Sequence, residues 1–186
     1  MSQIARAAVF LDRDGVINYN RNDYVKQWAE FQFLPGALNA LSRLSASHLV
    51  VVVVTNQSAV GRGLLNILDL EYIHAQMTRI IREHGGRIDR VLYCPHHPQD
   101  NCACRKPQPG LLKQAAYALD IDLTRSYLIG DAISDIQAAQ AAGCFPLLVL
   151  TGRGAAARQA LTPHQHDRCQ LVPDLPTAVD WILQKL

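Results

Sequence analysis

Val9-Phe10-Leu11-Asp12-Arg13-Asp14-Gly15-Val16 is the stretch whose reading decides the fold. A short apolar run ends in a pair of carboxylates, Asp12 and Asp14, and then a glycine. That pattern suits a buried parallel strand whose carboxyl end carries chemistry, because open α/β sheets bind ligands beyond the carboxyl ends of their strands. Side chains alternate along an extended chain, so Asp12 and Asp14 share one face if the strand conformation runs through them. Gly15 then lets the backbone turn away without a side-chain clash. Paired carboxylates repel, and a divalent cation bound by oxygen relieves that repulsion. Taken alone, Asp-x-Asp-Gly reads most simply as a polar turn after a strand, so the other strand ends must decide.

Working outward, residues 17–35 form a polar and aromatic excursion placed to rim a pocket or simply to cover the core with Trp28 and Phe33. A helix is expected over about 35–47, with Leu38, Leu41 and Leu44 on one side. The β-branched run Leu49 to Val54 reads as a central strand buried on both faces. It ends in Thr55, Asn56 and Gln57, which offer hydrogen bonds to an anion, while Gly61 and Gly63 read as turn formers. Residues 69–84 predict an amphipathic helix with Leu70, Ile73, Met77, Ile80 and Ile81 on one side and His74 and His84 on its surface. Further strands are expected at 90–94, 127–131 and 146–150, and further helices over about 110–119, from a Ser134 cap to Gly143, and from Asp174 onward. Residues 153–173 carry no clear pattern. The alternation of strands and helices predicts an α/β fold: a three-layer sandwich with a mostly parallel, Rossmann-like sheet.

The chain of 186 residues suits one domain spanning 1–186, and its 49% hydrophobic content excludes a disordered protein. A net charge of +2 argues against nucleic acid or an anionic membrane as partner. No apolar run is long enough to span a bilayer, and the N-terminus shows no secretory pattern, so a cytoplasmic protein is expected; a monomer is the separate expectation for its assembly. Of the five cysteines, Cys94, Cys102 and Cys104 cluster around 94–104. An odd count favours a metal site over a disulfide scaffold. Cys144 and Cys169 read as small apolar packing residues.

Four strand ends thus carry Asp12 and Asp14, Thr55, Cys94 and Asp131, with Lys106 following the third. In one parallel sheet these ends share an edge. Such a set suits phosphoryl transfer to water: a nucleophilic carboxylate, a second acting as acid and then base, and cationic donors for the transferring oxygens. The chain resembles the haloacid dehalogenase superfamily of phosphohydrolases, through Asp12-Arg13-Asp14-Gly15-Val16, Thr55, Lys106 and Gly130-Asp131-x-x-x-Asp135 in order. The resemblance implies Asp12 as nucleophile, Asp14 as general acid and base, and Thr55 and Lys106 holding the phosphoryl group. It implies Mg²⁺ on Asp12, the Asp14 backbone carbonyl and Asp131, with Asp135 either supporting Asp131 or resting in the first turn of its helix. The chain lacks the large insertion between motifs that forms a cap domain in many members of that superfamily, so a single capless domain is expected.

Within that superfamily the chain is similar to the D-glycero-D-manno-heptose 1,7-bisphosphate 7-phosphatases, from about residue 8 to 151. Thr55-Asn56-Gln57-Ser58, Arg62-Gly63, Cys94-Pro95-His96-His97-Pro98 and Cys104-Arg105-Lys106-Pro107-x-Pro109-Gly110 carry the similarity. It implies substrate contacts from Thr55, Asn56, Gln57, Ser58 and Arg105, and from Asn20, Arg21, Asn22 and Asp23 after the first motif. The partner would be a phosphorylated sugar, and the product a heptose 1-phosphate on the route to nucleotide-activated heptose for surface lipopolysaccharide. Cys94, His96, Cys102 and Cys104 offer a complete tetrahedral set for structural Zn²⁺, with His97 as the competing imidazole. The short loop from His96 to Cys102 and Ala132 depart from the heptose enzymes and leave histidinol-phosphate phosphatase as the runner-up. A zinc-stabilised phospholigand-binding protein without turnover is the alternative of another class, and a nucleic-acid 3′-phosphatase a further one. Neither anomer preference nor the oligomeric state beyond a monomer expectation is written in these residues.

Overall fold

A computed structural model describes residues 5–186. The central strands are β1 (Ala8–Leu11) and β2 (Val50–Asn56), and every residue from Ala8 to Leu11 and from Val50 to Thr55 is buried. Strands buried on both faces carry apolar residues continuously, which is why both were legible as runs without alternation. β3 (Arg90–Cys94), β4 (Tyr127–Gly130), β5 (Phe145–Val149) and β6 (Gln170–Val172) complete one sheet in the order β3-β2-β1-β4-β5-β6. All pairings are parallel. The chain winds outward from β1 to β3, then returns to the other side of β1 with β4. That reversal opens a crevice at the carboxyl ends of β1 and β4.

Alternate side chains of the sheet enter two helix layers. Val9, Leu11, Val51, Val53 and Ile129 pack with α1 (Ala37–Ser45), α3 (Ile67–Glu83) and α8 (Leu175–Leu183). Phe10, Val52, Val54 and Leu128 face α4 (Gly110–Leu119) and α5 (Ile133–Ala142). Burial of this interleaved core stabilises the fold at about 25 cal/mol per Å² of apolar surface. Cys144 packs within the second layer, and Cys169 is half-buried beside Ile136 and Leu148.

Several expectations need correction. His74 is 6% exposed and turns inward from α3, whereas His84 does lie on the surface. Ser134 does not cap α5; Asp135 does so, its Oδ2 accepting from Ala132 N at 3.0 Å. Gly61 ends the short helix α2 (Ser58–Gly61), where a Cβ would strike the backbone of the Pro95–His97 turn, while Gly63 does turn the chain. The unpatterned region 153–173 contains α6 (Gly154–Gln159), α7 (Pro163–Asp167) and the edge strand β6. Among the described residues, the segment from β1 to α1 carries a 3-10 turn at Trp28–Glu30 and isolated bridges from Asn18 to Asp14 and to Phe33, and the segment from β3 to α4 carries a 3-10 turn at Pro98–Asp100, so neither holds a cap domain.

Candidate active site

Lys106 organises the crevice. It is 2% exposed, and its Nζ lies 3.0 Å from Asp12 Oδ1 and 2.6 Å from Asp135 Oδ1. It also donates to Val54 O at 2.8 Å, which fixes the ammonium against the end of β2. Asn56 holds the backbone of the same residue, donating to Lys106 O at 3.0 Å and accepting from Lys106 N at 3.1 Å. A buried ammonium of this kind requires anionic partners, and the flanking carboxylates raise its pKa although burial opposes them.

Asp12 enters the crevice as β1 ends, its N–H continuing the ladder to Ile129 O at 2.9 Å. Asp131 follows β4, the neighbouring strand, so the two acids meet across the crevice. Asp12, Asp131 and Asp135 each offer a carboxylate oxygen within 4.8 Å of the others. Burial pushes the Asp12 carboxyl up to about 6, with Lys106 opposing and Asp135 and Asp14 adding. Burial, then the Asp12 charge, pushes Asp131 up to about 8. One lysine therefore leaves this cluster short of positive charge.

The oxygen donors that remain fit a hard divalent cation. Asp135 is committed to Lys106 and to Ala132 N, while Asp131 Oδ2 accepts from Arg153 N at 2.8 Å. Among the described residues, no donor is placed on Asp12 Oδ2 or Asp131 Oδ1. Asp131 is closely confined: a Cβ on Gly15 (φ +87°) or on Gly152 (φ +56°) would overlap its carboxylate. Both glycines thus serve two needs, a left-handed backbone and room for the acid.

Asp14 is held differently. Arg13 Nη2 spans its oxygens at 3.0 and 2.9 Å, Asn18 Nδ2 donates at 2.9 Å, and Gln57 Nε2 donates at 2.8 Å. The same Gln57 amide donates to Thr55 Oγ1 at 2.9 Å, joining the acid to the hydroxyl at the end of β2. Burial disfavours the Asp14 anion, but the Arg13 charge and the donors from Asn18, Arg13 and Gln57 outweigh it, leaving the carboxyl below its ordinary value.

These groups open into a cleft of about 490 Å³. Asp12, Asp14, Thr55, Ser58, Lys106 and Asp131 line it, and so do Asn56, Gln57 and Arg105. Of the segment after the first motif, Asn20 and Arg21 reach the wall, whereas Asn22 and Asp23 do not. Asp23 instead accepts from Arg21 and Lys26 on the exposed side of the loop. Arg62, Ser134 and Arg153 also line the cleft. Arg153 and Ser134 were not singled out as site residues, although Thr151-Gly152-Arg153 directly follows the carboxyl end of β5, which is where ligand groups gather.

Beside the cleft, Cys94, His96, Cys102 and Cys104 converge. Their separations are 3.4 Å for Cys94 Sγ to Cys102 Sγ, 3.4 Å for Cys102 Sγ to Cys104 Sγ, and 3.2 Å for His96 Nδ1 to Cys104 Sγ. Tetrahedral zinc with bonds of about 2.3 Å to sulfur sets sulfur–sulfur edges of about 3.8 Å, close to this arrangement. The cluster could hold a metal ion. His97 is turned away, accepting from Gln99 N at 3.2 Å to cap the 3-10 turn Pro98–Asp100. Pro98 lines the cleft, so the Cys/His loop contributes directly to its wall.

Residues 103–178 match the HAD-hydrolase-like family model. The chain is 42% identical over 151 residues to a D-glycero-beta-D-manno-heptose-1,7-bisphosphate 7-phosphatase of Pseudomonas aeruginosa, covering 81% of this chain and 85% of that one. The enzyme of the same name from Neisseria meningitidis serogroup A is 38% identical over 173 residues, covering 93% and 91%. Among solved structures, D,D-heptose 1,7-bisphosphate phosphatase from B. bronchiseptica, complexed with magnesium and phosphate, superposes with a TM-score of 0.91 at 39% identity, covering 97% of this chain and 99% of that one.

Proposed function

The chain belongs to the D-glycero-beta-D-manno-heptose-1,7-bisphosphate 7-phosphatase family of HAD-like hydrolases, and from that membership we propose the reaction and the roles of its residues. It is a phosphatase that removes the 7-phosphate of D-glycero-D-manno-heptose 1,7-bisphosphate, taking the β anomer that its relatives' names specify. The product is a heptose 1-phosphate for nucleotide-activated heptose. The observation that carries the reading is the meeting of Asp12, Lys106 and Asp131 in one cleft with Asp14 beside them.

Asp12 attacks the 7-phosphoryl group and forms an aspartyl-phosphate, splitting a difficult hydrolysis into two displacements. Asp14 gives a proton to the departing sugar oxygen and then takes one from the attacking water. Thr55 and Lys106 donate to the transferring oxygens, in geometry fixed by Gln57 and Asn56. Asp12, the Asp14 carbonyl and Asp131 would hold Mg²⁺, which when bound neutralises charge on the phosphoryl group. Asp135 and Arg153 position the lysine and Asp131 respectively. The cationic side chains of Arg21, Arg62, Arg105 and Arg153 suit the rest of a bisphosphate substrate. Asn22 and Asp23 take no substrate contact in this account.

Zn²⁺ on Cys94, His96, Cys102 and Cys104 would fix the loop that carries Pro98 and leads to Arg105, with no open position for water. The chain acts as one domain over 1–186 and as a monomer in the cytoplasm. No helix among the described residues is long and apolar enough to cross a membrane. The test is a Mg²⁺-dependent phosphate-release panel with both heptose bisphosphate anomers and histidinol phosphate. The highest kcat/KM on the β-heptose bisphosphate, lost in Asp12→Asn, supports the reading; a higher value on histidinol phosphate overturns the substrate, and no turnover at all overturns the enzyme.

A further inference from the structure

Arg13 borders the cleft, but it is 0% exposed, so its guanidinium is packed inside the protein and not offered to solvent. Its Nη2 is spent on both oxygens of Asp14. Its Nη1 lies 3.1 Å from Nε2 of His74, which arrives from α3, 61 residues further along the chain. Among the described residues, Nη1 has no other partner and Nε has none at all, with only the Phe31 ring 5.9 Å from the guanidinium carbon. A guanidinium has donors and no acceptor, so His74 Nε2 must be the unprotonated nitrogen. Burial, then the Arg13 charge, keeps His74 neutral by pushing its pKa down to about 3. The Tyr93 ring, 5.4 Å away and tilted at 50°, backs the imidazole.

We propose that His74 is a positioning residue for the Asp14 carboxylate, acting through the Arg13 guanidinium. The proposal rests on the reading of Asp14 as acid and base. Arg13 is anchored at two points, Asp14 on one side and His74 on the other. Without the second anchor the guanidinium is free to rotate, and the carboxylate it spans moves with it. Small misplacements of a catalytic group cost up to about 10²-fold in rate. His74 touches neither substrate nor cation, so its effect must appear only where Asp14 is needed.

That condition supplies the test. The value of kcat/KM reports formation of the aspartyl-phosphate, in which Asp14 protonates a poor alkoxide leaving group, whereas an aryl phosphate expels its phenolate with little help. Wild type, His74→Leu, His74→Gln and Asp14→Asn are compared on the heptose bisphosphate and on p-nitrophenyl phosphate with Mg²⁺. The ratio of the two kcat/KM values is independent of the fraction of enzyme correctly folded. We expect His74→Leu to lower that ratio about 10-fold or more, Asp14→Asn to lower it further, and His74→Gln, whose amide oxygen can accept from Nη1, to restore most of it. Equal losses on both substrates in His74→Leu, or no restoration by glutamine, overturn the positioning role. Equal losses in Asp14→Asn instead overturn the acid–base reading beneath it, and a wild type without Mg²⁺-dependent turnover overturns the phosphatase reading as a whole.

Discussion

Replacing Lys106 by methionine removes the one buried cation that, among the described residues, contacts Asp12 and Asp135, while keeping a side chain of similar length. At the observed 3.0 Å to Asp12 and an effective dielectric of about 20, the gross attraction is about 5 kcal/mol. Dehydration of the ammonium offsets part of this, but breaking a buried pair leaves an uncompensated charge and costs about 3–5 kcal/mol. For a domain of this size that corresponds to a fall in Tm of about 6–20 °C. Thermal unfolding in chelator should show the loss, and saturating Mg²⁺ should recover more of it in the variant than it adds to wild type. The pH dependence follows from the raised acids. Asp12 and Asp131 have folded pKa values of about 6 and about 8, above their ordinary 3.8. The folded state therefore binds the extra protons, so metal-free stability declines as pH rises between about 4 and 8. Without Lys106 that decline must steepen. A Lys106→Met protein as stable as wild type in chelator at pH 8 would refute the claim that these carboxylates are short of positive charge.

The same geometry makes three further predictions. Gly15→Ala places a Cβ in the Asp131 carboxylate on a backbone at φ +87°, so it should cost about 2 kcal/mol or more in urea unfolding and raise the Mg²⁺ concentration needed for half-maximal activity. His74, with its pKa pushed down to about 3 from 6.5, leaves the unfolded chain binding more protons between those values. Stability should fall as pH drops through that window, by at most about 1.4 kcal/mol per pH unit from this group, and His74→Gln should flatten the slope measured by denaturant unfolding. Stripping the Cys94, His96, Cys102 and Cys104 cluster with a strong chelator should expose three additional reactive thiols and lower Tm. Cys102→Ser should bind less zinc by elemental analysis, whereas Cys169→Ser, outside the cluster, should bind as much as wild type.

The strand ends were legible because buried central strands write themselves as apolar runs, and the chemistry begins where each run stops. Asp12, Thr55 and Asp131 could be placed on one edge from that rule, whereas Lys106, beyond the loop that follows β3, was placed there by the family resemblance. His74 was misread by letting its polarity override its position: Leu70, Ile73, Met77 and Ile81 already define the inward face of α3, and residue 74 falls on it. The role of Gly152 and Arg153 depends on β5 lying two strands from β1 and on its end loop folding back onto Asp131, a contact no local pattern encodes. Asn22 and Asp23 were drawn into the site by their nearness in sequence to Asn20, but the loop turns at Tyr24 (φ +65°) and ties Asp23 to Arg21 and Lys26 instead. Thr162-Pro163-x-Gln165 carried a capping signal for α7 that a search for longer periodic helices passes over.

The central claim is that Asp12 bonds to phosphorus before water does. The direct measurement is the stereochemical course at phosphorus, read from the chiral inorganic thiophosphate released when a substrate carrying a 7-thiophosphoryl group, made chiral with one heavy oxygen isotope, is hydrolysed in water labelled with the other heavy isotope. Each in-line displacement inverts the centre, so transfer first to Asp12 and then to water predicts net retention. Net inversion would mean a single attack by water and would contradict the account.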